Sequence, residues 1–453
     1  MATLSIANWA VSLEYTSLPE SVTHAAIRSF YNWTGCALGG SNHRTTTTAL
    51  KALSPFFGPS TSSILGRANV SEDSLPKRAD ASHAALINGI ASHVHDYDDT
   101  HLETIIHPTG PVASALLAQA EAQGNVSGKD FILALVAGIE TECKVGLAVW
   151  PKHYDIGWHI TSTTGSIGAA VAVGKLLKLT PEQMAHAIGI AATQVTGLRE
   201  MFGSDTKSFH VGRAAQNGLT AAVLASNGYT SSLQALEAKR GWAHVVSETQ
   251  ILSEQVTTLG SIWEIEKNSF KPFPCGIVVH PVIDGCIQLH NEMTSSGYKA
   301  GDIARVHCRV HPLVLELTGK KTPQDGLQAK FSVYHGGAAG LVFGKAGPGG
   351  YEDAVVKSDE IITVRDKIDA FADANLGPDE TVIVAELRDG TSLKKHVGHA
   401  IGSLEVPMTD EQLEAKFIDQ VGRVLGSQQA SEASRACWAV GSVGNVEELV
   451  RTL

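Results

Sequence analysis

The 453-residue chain lacks several features that would place it in familiar classes of protein. No stretch approaches the ~18 unbroken apolar residues of a membrane span. No basic run could follow a phosphate backbone, since 35 Lys and Arg stand against 46 Asp and Glu. We therefore expect neither a membrane nor a nucleic acid as a partner.

Cysteine motifs and a signal peptide are also missing. The six cysteines lie far apart without a Cys-x-x-Cys pair, which predicts reduced, mostly buried thiols. The first residues lack the basic flank and apolar block of a secretory signal. We expect an intracellular, cytoplasmic protein; mitochondrial and peroxisomal locations stay open, because the final Arg451–Leu453 is faintly similar to a peroxisomal tripeptide.

The chain does contain enough apolar sequence for two cores. Single cores stop growing at about 250–300 residues, so two domains are expected. Up to residue 265, apolar residues recur at helical spacing, as in 131–150, in 165–179 and after the capping sequence Thr180–Gln183. Between 270 and 400, the alternation in 303–310 predicts a strand, and 381–394 predicts a hairpin turning at Asp389-Gly390.

These patterns predict a mainly α fold with a smaller α+β domain. Helical character returns at the capping sequence Thr409–Gln412. We expect a large all-helical domain formed by residues 1–265 and 405–453, with an α+β domain of residues 266–404 inserted into it.

One segment has an unusual density of ionisable side chains. Between apolar flanks at 84–90 and 110–117, it contains His93, His95, Asp96, Asp98, Asp99, His101, Glu103 and His107. Four interpretations are open: an acidic surface loop, a His-x-His metal pair, an aspartate-rich magnesium site like that of terpene cyclases, and metal-free acid/base catalysis.

Further candidates follow along the chain. His159 precedes four hydroxyl residues at the start of an apolar helix, a position suited to holding an anion. Lys207 lies between a glycine-bearing loop and an apolar helix, and Lys271 lies in a Pro- and Phe-rich stretch between the predicted domains. A lysine near apolar walls can bind a carboxylate or act as an acid/base. Tyr334 is a polar aromatic residue beside glycines.

The motifs that carry these residues resemble those of the MmgE/PrpD family, and the resemblance covers nearly the whole chain. The most specific motif is Asp-x-Asp-Asp-Thr followed by His-Pro. The motifs appear here, in the family's order, as Asp96–Thr100 with His107-Pro108, Gly157-Trp-His159, the Lys207 loop, Phe270–Pro274 and Phe331–Tyr334.

The resemblance implies a large helical domain, an α+β lid, a homodimer, and an active site between the domains that uses no metal or other cofactor. The family includes 2-methylcitrate dehydratase, cis-aconitate decarboxylase and iminodisuccinate epimerase. Its shared chemistry is proton transfer at a carbon next to a carboxylate. Its active-site pattern matches Asp96, Thr100, His107, His159, Lys207, Lys271 and Tyr334.

We therefore expect a cofactor-free lyase for a small di- or tricarboxylate, of the decarboxylase or dehydratase type. We hypothesise that Thr100, Lys207 and Lys271 bind substrate carboxylates. His107 and His159 would exchange protons, Asp96 would orient a histidine and Tyr334 would donate from the lid, while His93, His95 and His101 would be supporting or solvent-facing. The alternatives are a dicarboxylate epimerase or isomerase of the same family and, in another class, a metal-dependent hydrolase or cyclase.

Overall fold

The computed structural model of the chain describes residues 1–67 and 75–453. Its strands are β1 (Ser62–Ser63), β2 (Arg78–Ala79), β3 (Asp99–His101), β4 (Asn268–Phe270), β5 (Ile303–Val310), β6 (Ile368–Ala372), β7 (Thr381–Leu387) and β8 (Ser392–Val397). Its α-helices are α1 (Ala2–Ser12), α2 (Glu20–Gly40), α3 (Arg44–Leu53), α4 (Ala81–His93), α5 (Thr109–Gln123), α6 (Gly128–Val149), α7 (Lys152–Ile156), α8 (Ile160–Leu176), α9 (Pro181–Ala192), α10 (Asp205–Ser226), α11 (Trp242–Val246), α12 (Leu252–Val256), α13 (His280–Ser295), α14 (Pro312–Thr318), α15 (Gly326–Ala329), α16 (Val333–Phe343), α17 (Asp353–Val356), α18 (Asp359–Arg365), α19 (Asp410–Leu425), α20 (Ser427–Trp438) and α21 (Val446–Val450). The predicted fold class, mainly α with a smaller α+β part, is confirmed.

The chain divides into two compact units. The first comprises Met1–Val94, Asp98–Asn268 and Asp410–Leu453, and the second comprises His95–Tyr97 and Ser269–Thr409. The sequence had predicted domains of 1–265 with 405–453, and of 266–404. The ionisable segment is shared between the units, since His95–Tyr97 belongs to the second and its flanks belong to the first.

Helix α8 lies at the centre of the first unit. It packs against α5, α6 and α10, and α10 also packs against α4. Nearly the whole of α8 is buried, because small, hydroxyl and apolar residues occupy every face of the helix. A Cβ atom at Gly89 of α4 would lie 2.6 Å from the Cα of Gly212 in α10. Glycine at both positions therefore lets the two helices approach closely, near the points where they carry His93 and His210.

The predicted helix boundaries in this unit follow local sequence signals. Helix α9 begins with a capping box in which the Thr180 hydroxyl accepts from the Gln183 N–H and the Gln183 side chain accepts from the Thr180 N–H. Its predicted apolar face is buried. Helices α6 and α8 cover most of the two predicted runs at 131–150 and 165–179, and α19 begins at Asp410 as expected.

The second unit is built on a four-stranded sheet in the order β6-β5-β7-β8. Strand β5 pairs parallel to β6 and antiparallel to β7, and β7 pairs antiparallel to β8. The predicted alternation holds, because Val306, Cys308 and Val310 are buried and Arg305 and Arg309 are exposed. The predicted hairpin turns at Gly390, whose φ of +90° suits glycine. Helices α13 and α16 pack on each other. Helix α13 also packs against β7 and β8, and α16 packs against β6, and together they form the core of this unit.

Two expectations drawn from missing features can be compared with the structure. All six cysteines are buried thiols, as predicted. Among the described residues, no helix combines the length and apolar character needed to cross a membrane.

Candidate active site

The ionisable segment is largely buried, so its interpretation as an acidic surface loop is wrong. Helices α4 and α5 bracket it as predicted, and Asp98 and Asp99 have 0% relative exposure, whereas Glu103 is exposed. Shortly after α4 ends, Asp96 adopts a left-handed conformation with φ of +52°, which aspartate tolerates better than most residues. This turn separates the end of α4 from β3.

In the first unit, Asp98 lies between two histidines. Its Oδ2 is 2.7 Å from Nδ1 of His93, and its Oδ1 is 3.8 Å from Nδ1 of His107. The two imidazole rings have centroids 4.9 Å apart. A carboxylate accepts hydrogen bonds, so Asp98 favours the tautomer of His93 that carries its proton on Nδ1.

The ring of His107 is fixed by backbone and hydroxyl contacts. Its Nδ1 lies 2.8 Å from the Asp99 carbonyl oxygen and 3.2 Å from Oγ1 of Thr100, and its backbone N–H donates to Oγ1 of Thr161. Because a carbonyl oxygen only accepts, Nδ1 carries the proton, and a neutral His107 has its lone pair on Nε2. His107 can therefore act as a base through Nε2.

His159 is the N-cap residue of α8 and lies against His210 of α10. The two Nδ1 atoms are 3.0 Å apart, so one nitrogen donates and the other accepts. Burial, with additional repulsion from His93 and Lys207, lowers the pKa of His159 well below its usual value and the pKa of His210 to about 4. Both histidines are therefore neutral near pH 7.

Lys207 supplies the positive charge beside these rings. It lies in the first turn of α10, is largely buried, and has its Nζ 5.2 Å from the ring centroid of Phe202. Phe202 also contacts the ring of His159 edge-on at 5.0 Å. A buried ammonium group near neutral histidines is suited to binding a carboxylate.

Asp99 has a positioning function. Its Oδ2 accepts from Oγ1 of Thr109 at 2.5 Å and from Nδ2 of Asn268 at 2.6 Å. Burial and the nearby charge of Asp98 raise the pKa of Asp99 to about 6. These bonds hold the backbone whose carbonyl group fixes His107.

Two of the predicted residues meet in the second unit. Nζ of Lys271 donates to Oδ1 of Asp96 at 2.9 Å and to the Asp96 carbonyl oxygen at 3.2 Å, and both side chains are buried. The sequence hypothesis gave Asp96 the task of orienting a histidine, but the carboxylate in contact with histidines is that of Asp98. Asp96 instead pairs with Lys271. The described contacts of Tyr334 include Lys321 at 5.5 Å from its ring centroid, and none is to Lys271.

A metal ion is the alternative occupant of the histidine cluster. His93, Asp98 and His107 each offer a ligand atom, and these atoms lie within 4.8 Å of one another. The 2.7 Å contact from His93 to Asp98 requires a proton on Nδ1, however, and this leaves only Nε2 of His93 as a possible ligand atom. The geometry fits a hydrogen-bonded cluster better than a closed metal site.

The sequence hypothesis missed three members of this cluster: His93, Asp98 and His210. His93, His95 and His101 were expected to be supporting or solvent-facing; the burial of His93 and His101 excludes a solvent-facing position for these two, and His95 is partly exposed. His93 and Asp98 were visible in the ionisable segment, and His210 lies one helical turn after Lys207, where a helix of period 3.6 brings both to one face. His101 belongs to a separate network through its contact with Glu264.

Fold and site together define a mainly helical protein that holds a buried cluster of histidines, a carboxylate and a lysine. Comparison with known proteins agrees with the resemblance in the motifs. The model of the MmgE/PrpD N-terminal domain matches residues 4–255, and that of the MmgE/PrpD C-terminal domain matches residues 273–440. The chain belongs to the MmgE/PrpD family.

Individual relatives show the range of the family. A cis-aconitate decarboxylase-like protein, oryM, of Aspergillus oryzae is 26% identical, covering 99% of this chain and 96% of that protein. The cis-aconitate decarboxylase of Aspergillus terreus is 25% identical over 100% of this chain and 95% of its own. A 2-methylcitrate dehydratase of Escherichia coli is 25% identical over 52% of each chain. These relatives are lyases, and this chain is an enzyme of that type.

Proposed function

We propose that this enzyme is a lyase for a small di- or tricarboxylate, acting by proton transfer at a carbon next to a carboxylate. The observation that carries the proposal is the buried group of His93, His107, His159 and His210 with Lys207 in the first unit. A decarboxylase is the first candidate, because the relatives that match nearly the whole chain include a cis-aconitate decarboxylase and a cis-aconitate decarboxylase-like protein.

The surroundings of the cluster favour an anionic substrate. Lys207 contributes a full positive charge, and the first turn of α8 presents backbone N–H groups directly after His159. Helix N-termini attract anions through these groups and through the helix dipole. The net charge of −11 would repel such a substrate, so the local positive charge has to attract it.

The histidines would supply the acid/base step. In a decarboxylation, the bond to the leaving carboxylate breaks, carbon dioxide departs, and the electron pair left on carbon takes a proton from a histidine. In a dehydration, a histidine removes the carbon-bound proton and an acid protonates the leaving hydroxyl group. His107 and His159 are proposed to exchange these protons, and Thr100, which contacts His107, is proposed to bind a carboxylate beside it.

Residues of the second unit complete the proposed set. Their assignment depends on the family motifs: Lys271 would bind a substrate carboxylate, Asp96 would hold Lys271 through their ion pair, and Tyr334 would donate a proton or a hydrogen bond. The homodimer and the metal-free mechanism implied by the family are proposals of the same kind. A metal-dependent hydrolase or cyclase is the second candidate, favoured by the spacing of His93, Asp98 and His107.

Incubation with a panel of substrates tests the proposal. Purified enzyme is supplied with cis-aconitate, 2-methylcitrate, citrate and iminodisuccinate, and NMR follows carbon dioxide release, water loss and epimerisation, before and after treatment with a chelator. We expect carbon dioxide or water to be released from at least one tri- or dicarboxylate at a rate that chelation leaves unchanged. Epimerisation alone would favour the isomerase alternative, and activity lost on chelation and restored by a divalent ion would contradict the metal-free mechanism.

A further inference from the structure

His93 lies at the centre of the cluster but is not among the residues that the family motifs assign to the site. It is the last residue of α4, and its relative exposure is 1%. Its Nδ1 is bound to Asp98, whereas its Nε2 is a buried nitrogen without a hydrogen-bond partner among the described residues. Buried polar atoms nearly always have a partner, so an exception calls for an explanation, and a catalytic role is one.

The bond to Asp98 determines what this nitrogen can do. With the proton of neutral His93 on Nδ1, the lone pair is on Nε2. When Nε2 takes up a proton, the negative charge of Asp98 stabilises the resulting imidazolium, as the carboxylate does in a Ser-His-Asp triad. The pair therefore has the geometry of a general base, with a fixed tautomer, a lone pair on Nε2 and a carboxylate bound to the opposite ring nitrogen.

The neighbours of His93 are the residues already proposed to act on substrate. Its ring centroid is 4.9 Å from that of His107 and 6.0 Å from that of His159. His93 also lowers the pKa of both His159 and His210, so a proton placed on one ring of the cluster disfavours protonation of the others.

We propose that His93 and Asp98 form an acid/base dyad in which His93 is a further catalytic residue and Asp98 positions it. This inference rests on the proposed function. In dehydration, the carbon–hydrogen bond breaks, the proton goes to Nε2 of His93, and the electron pair forms the double bond as the hydroxyl group leaves with a proton from another histidine. In epimerisation, the same bond breaks, the electron pair stays on carbon, and that carbon takes a proton on its other face. In decarboxylation, the bond to the leaving carboxylate breaks, its electron pair stays on carbon, and Nε2 of His93 takes a proton from solvent and passes it to that carbon. Asp98 stays ionised throughout.

Two substitutions test the functions of Nδ1 and Nε2 of His93 separately. His93→Asn keeps a donor near the position of Nδ1 and removes Nε2, and Asp98→Asn keeps the shape but donates to Nδ1, which moves the ring proton to Nε2. His83→Asn is the matched control, because His83 lies on the same helix and its Nδ1 is 2.8 Å from Oδ2 of Asp80, where both side chains are partly exposed.

The first readout is the rate at which deuterium from heavy water enters the substrate or product carbon. We expect both dyad variants to lower this rate by about 10²- to 10⁴-fold, the usual contribution of a general acid or base, and His83→Asn to leave it unchanged. Circular dichroism confirms that each variant is folded. Folded dyad variants with the wild-type exchange rate would overturn the proposal.

The second readout needs no substrate. In protein labelled with ¹⁵N-histidine, the ring nitrogen–proton signal of His93 is the one that disappears in His93→Asn. We expect this signal to show the Nδ1–H tautomer in the wild type. In Asp98→Asn, we expect the Nε2–H tautomer to replace it. An Nε2–H tautomer in the wild type, or a His93 signal that changes on chelation, would overturn the dyad. If the wild type acts on none of the carboxylates, the proposed function fails, and the tautomer alone then decides whether the dyad exists.

Discussion

Burial is the main determinant of the charge of several histidines in this enzyme. His153 shows the effect most simply: it has no exposed surface, its Nε2 contacts Oγ1 of Thr163, its Nδ1 contacts the Val246 carbonyl oxygen, and burial lowers its pKa to about 4. His159 and His210 follow the same rule inside the cluster. Neutral imidazoles can accept protons near pH 7, as the proposed dehydration step requires.

The lowered pKa of His153 predicts how stability varies with pH. The unfolded chain takes up a proton at His153 near the ordinary histidine pKa of 6.5, whereas the folded chain does so only near pH 4. The contribution of His153 is therefore fully present above pH 6.5 and is lost as the pH falls towards 4, by up to about 3 kcal/mol. We expect the difference in unfolding free energy between wild type and His153→Gln to shrink over this range.

Tryptophan fluorescence during urea unfolding measures this difference, since the Trp242 ring lies 5.8 Å from that of His153. His244→Gln, at an exposed position, controls for the loss of a histidine as such. A difference between wild type and His153→Gln that stays constant from pH 7 to pH 4 would contradict the assignment of a neutral, buried His153.

Single residues were predicted from the sequence with uneven success. The His159 N-cap and the buried Lys207 were found because a helix start and a lysine beside an apolar helix are local signals. The pairing of Asp98 with His93 depends on the turn of the chain at Asp96. The left-handed conformation of Asp96 cannot be predicted from the periodicity of the sequence. The carboxylate that contacts the histidines was therefore assigned to Asp96 instead of Asp98.

At the scale of elements, a buried charge network holds strand β3. Glu264 accepts from Nζ of Lys144 at 2.6 Å, from Nζ of Lys267 at 2.9 Å and contacts Nε2 of His101, a residue of β3, at 3.0 Å. Hydrogen bonds from these partners hold the pKa of Glu264 well below its usual value, against the effect of burial. The network fixes the strand that contains Thr100 and precedes His107.

Removing the charge of Glu264 should therefore lower the free energy of unfolding substantially. Glu264→Gln leaves Lys144 buried without its carboxylate, and breaking such a pair typically costs about 3–5 kcal/mol of unfolding free energy. The matched control is Glu292→Gln, which removes a partly exposed pair with Lys395 and should cost about 1 kcal/mol or less. Chemical denaturation of the three proteins checks this prediction, and equal losses in both variants would show that the buried network contributes no special stability.

Elements were predicted better than the contacts between them. The capping box of α9, the alternation in β5 and the Asp389-Gly390 turn are encoded within a few neighbouring residues, and each appears where the sequence placed it. The Glu264 network joins residues more than a hundred positions apart, and the parallel pairing of β5 with β6 joins strands separated by several helices. Such contacts depend on tertiary packing, which local patterns do not contain.

At the scale of the whole molecule, the sequence and the comparisons lead to the same family by different routes. The motifs identified a few short stretches, whereas the two domain models match residues 4–255 and 273–440. The structure adds the internal arrangement of each unit, in which the first holds the histidines and Lys207 and the second holds the pair of Lys271 and Asp96. Identity near 25% leaves room for a different substrate, so the chemistry of the cluster is the stronger ground for the proposed reaction.

The central claim is that the buried histidines move protons on a carboxylate substrate, and the turnover of His159→Ala tests it most directly. Wild type, His159→Ala and the exposed control His244→Ala are compared in heavy water, with the carboxylate on which the wild type is most active. We predict that His159→Ala keeps its circular dichroism spectrum but loses about 10²- to 10⁴-fold in turnover and in deuterium incorporation, while His244→Ala matches the wild type. Unchanged turnover in folded His159→Ala would remove His159 from the mechanism and contradict the account.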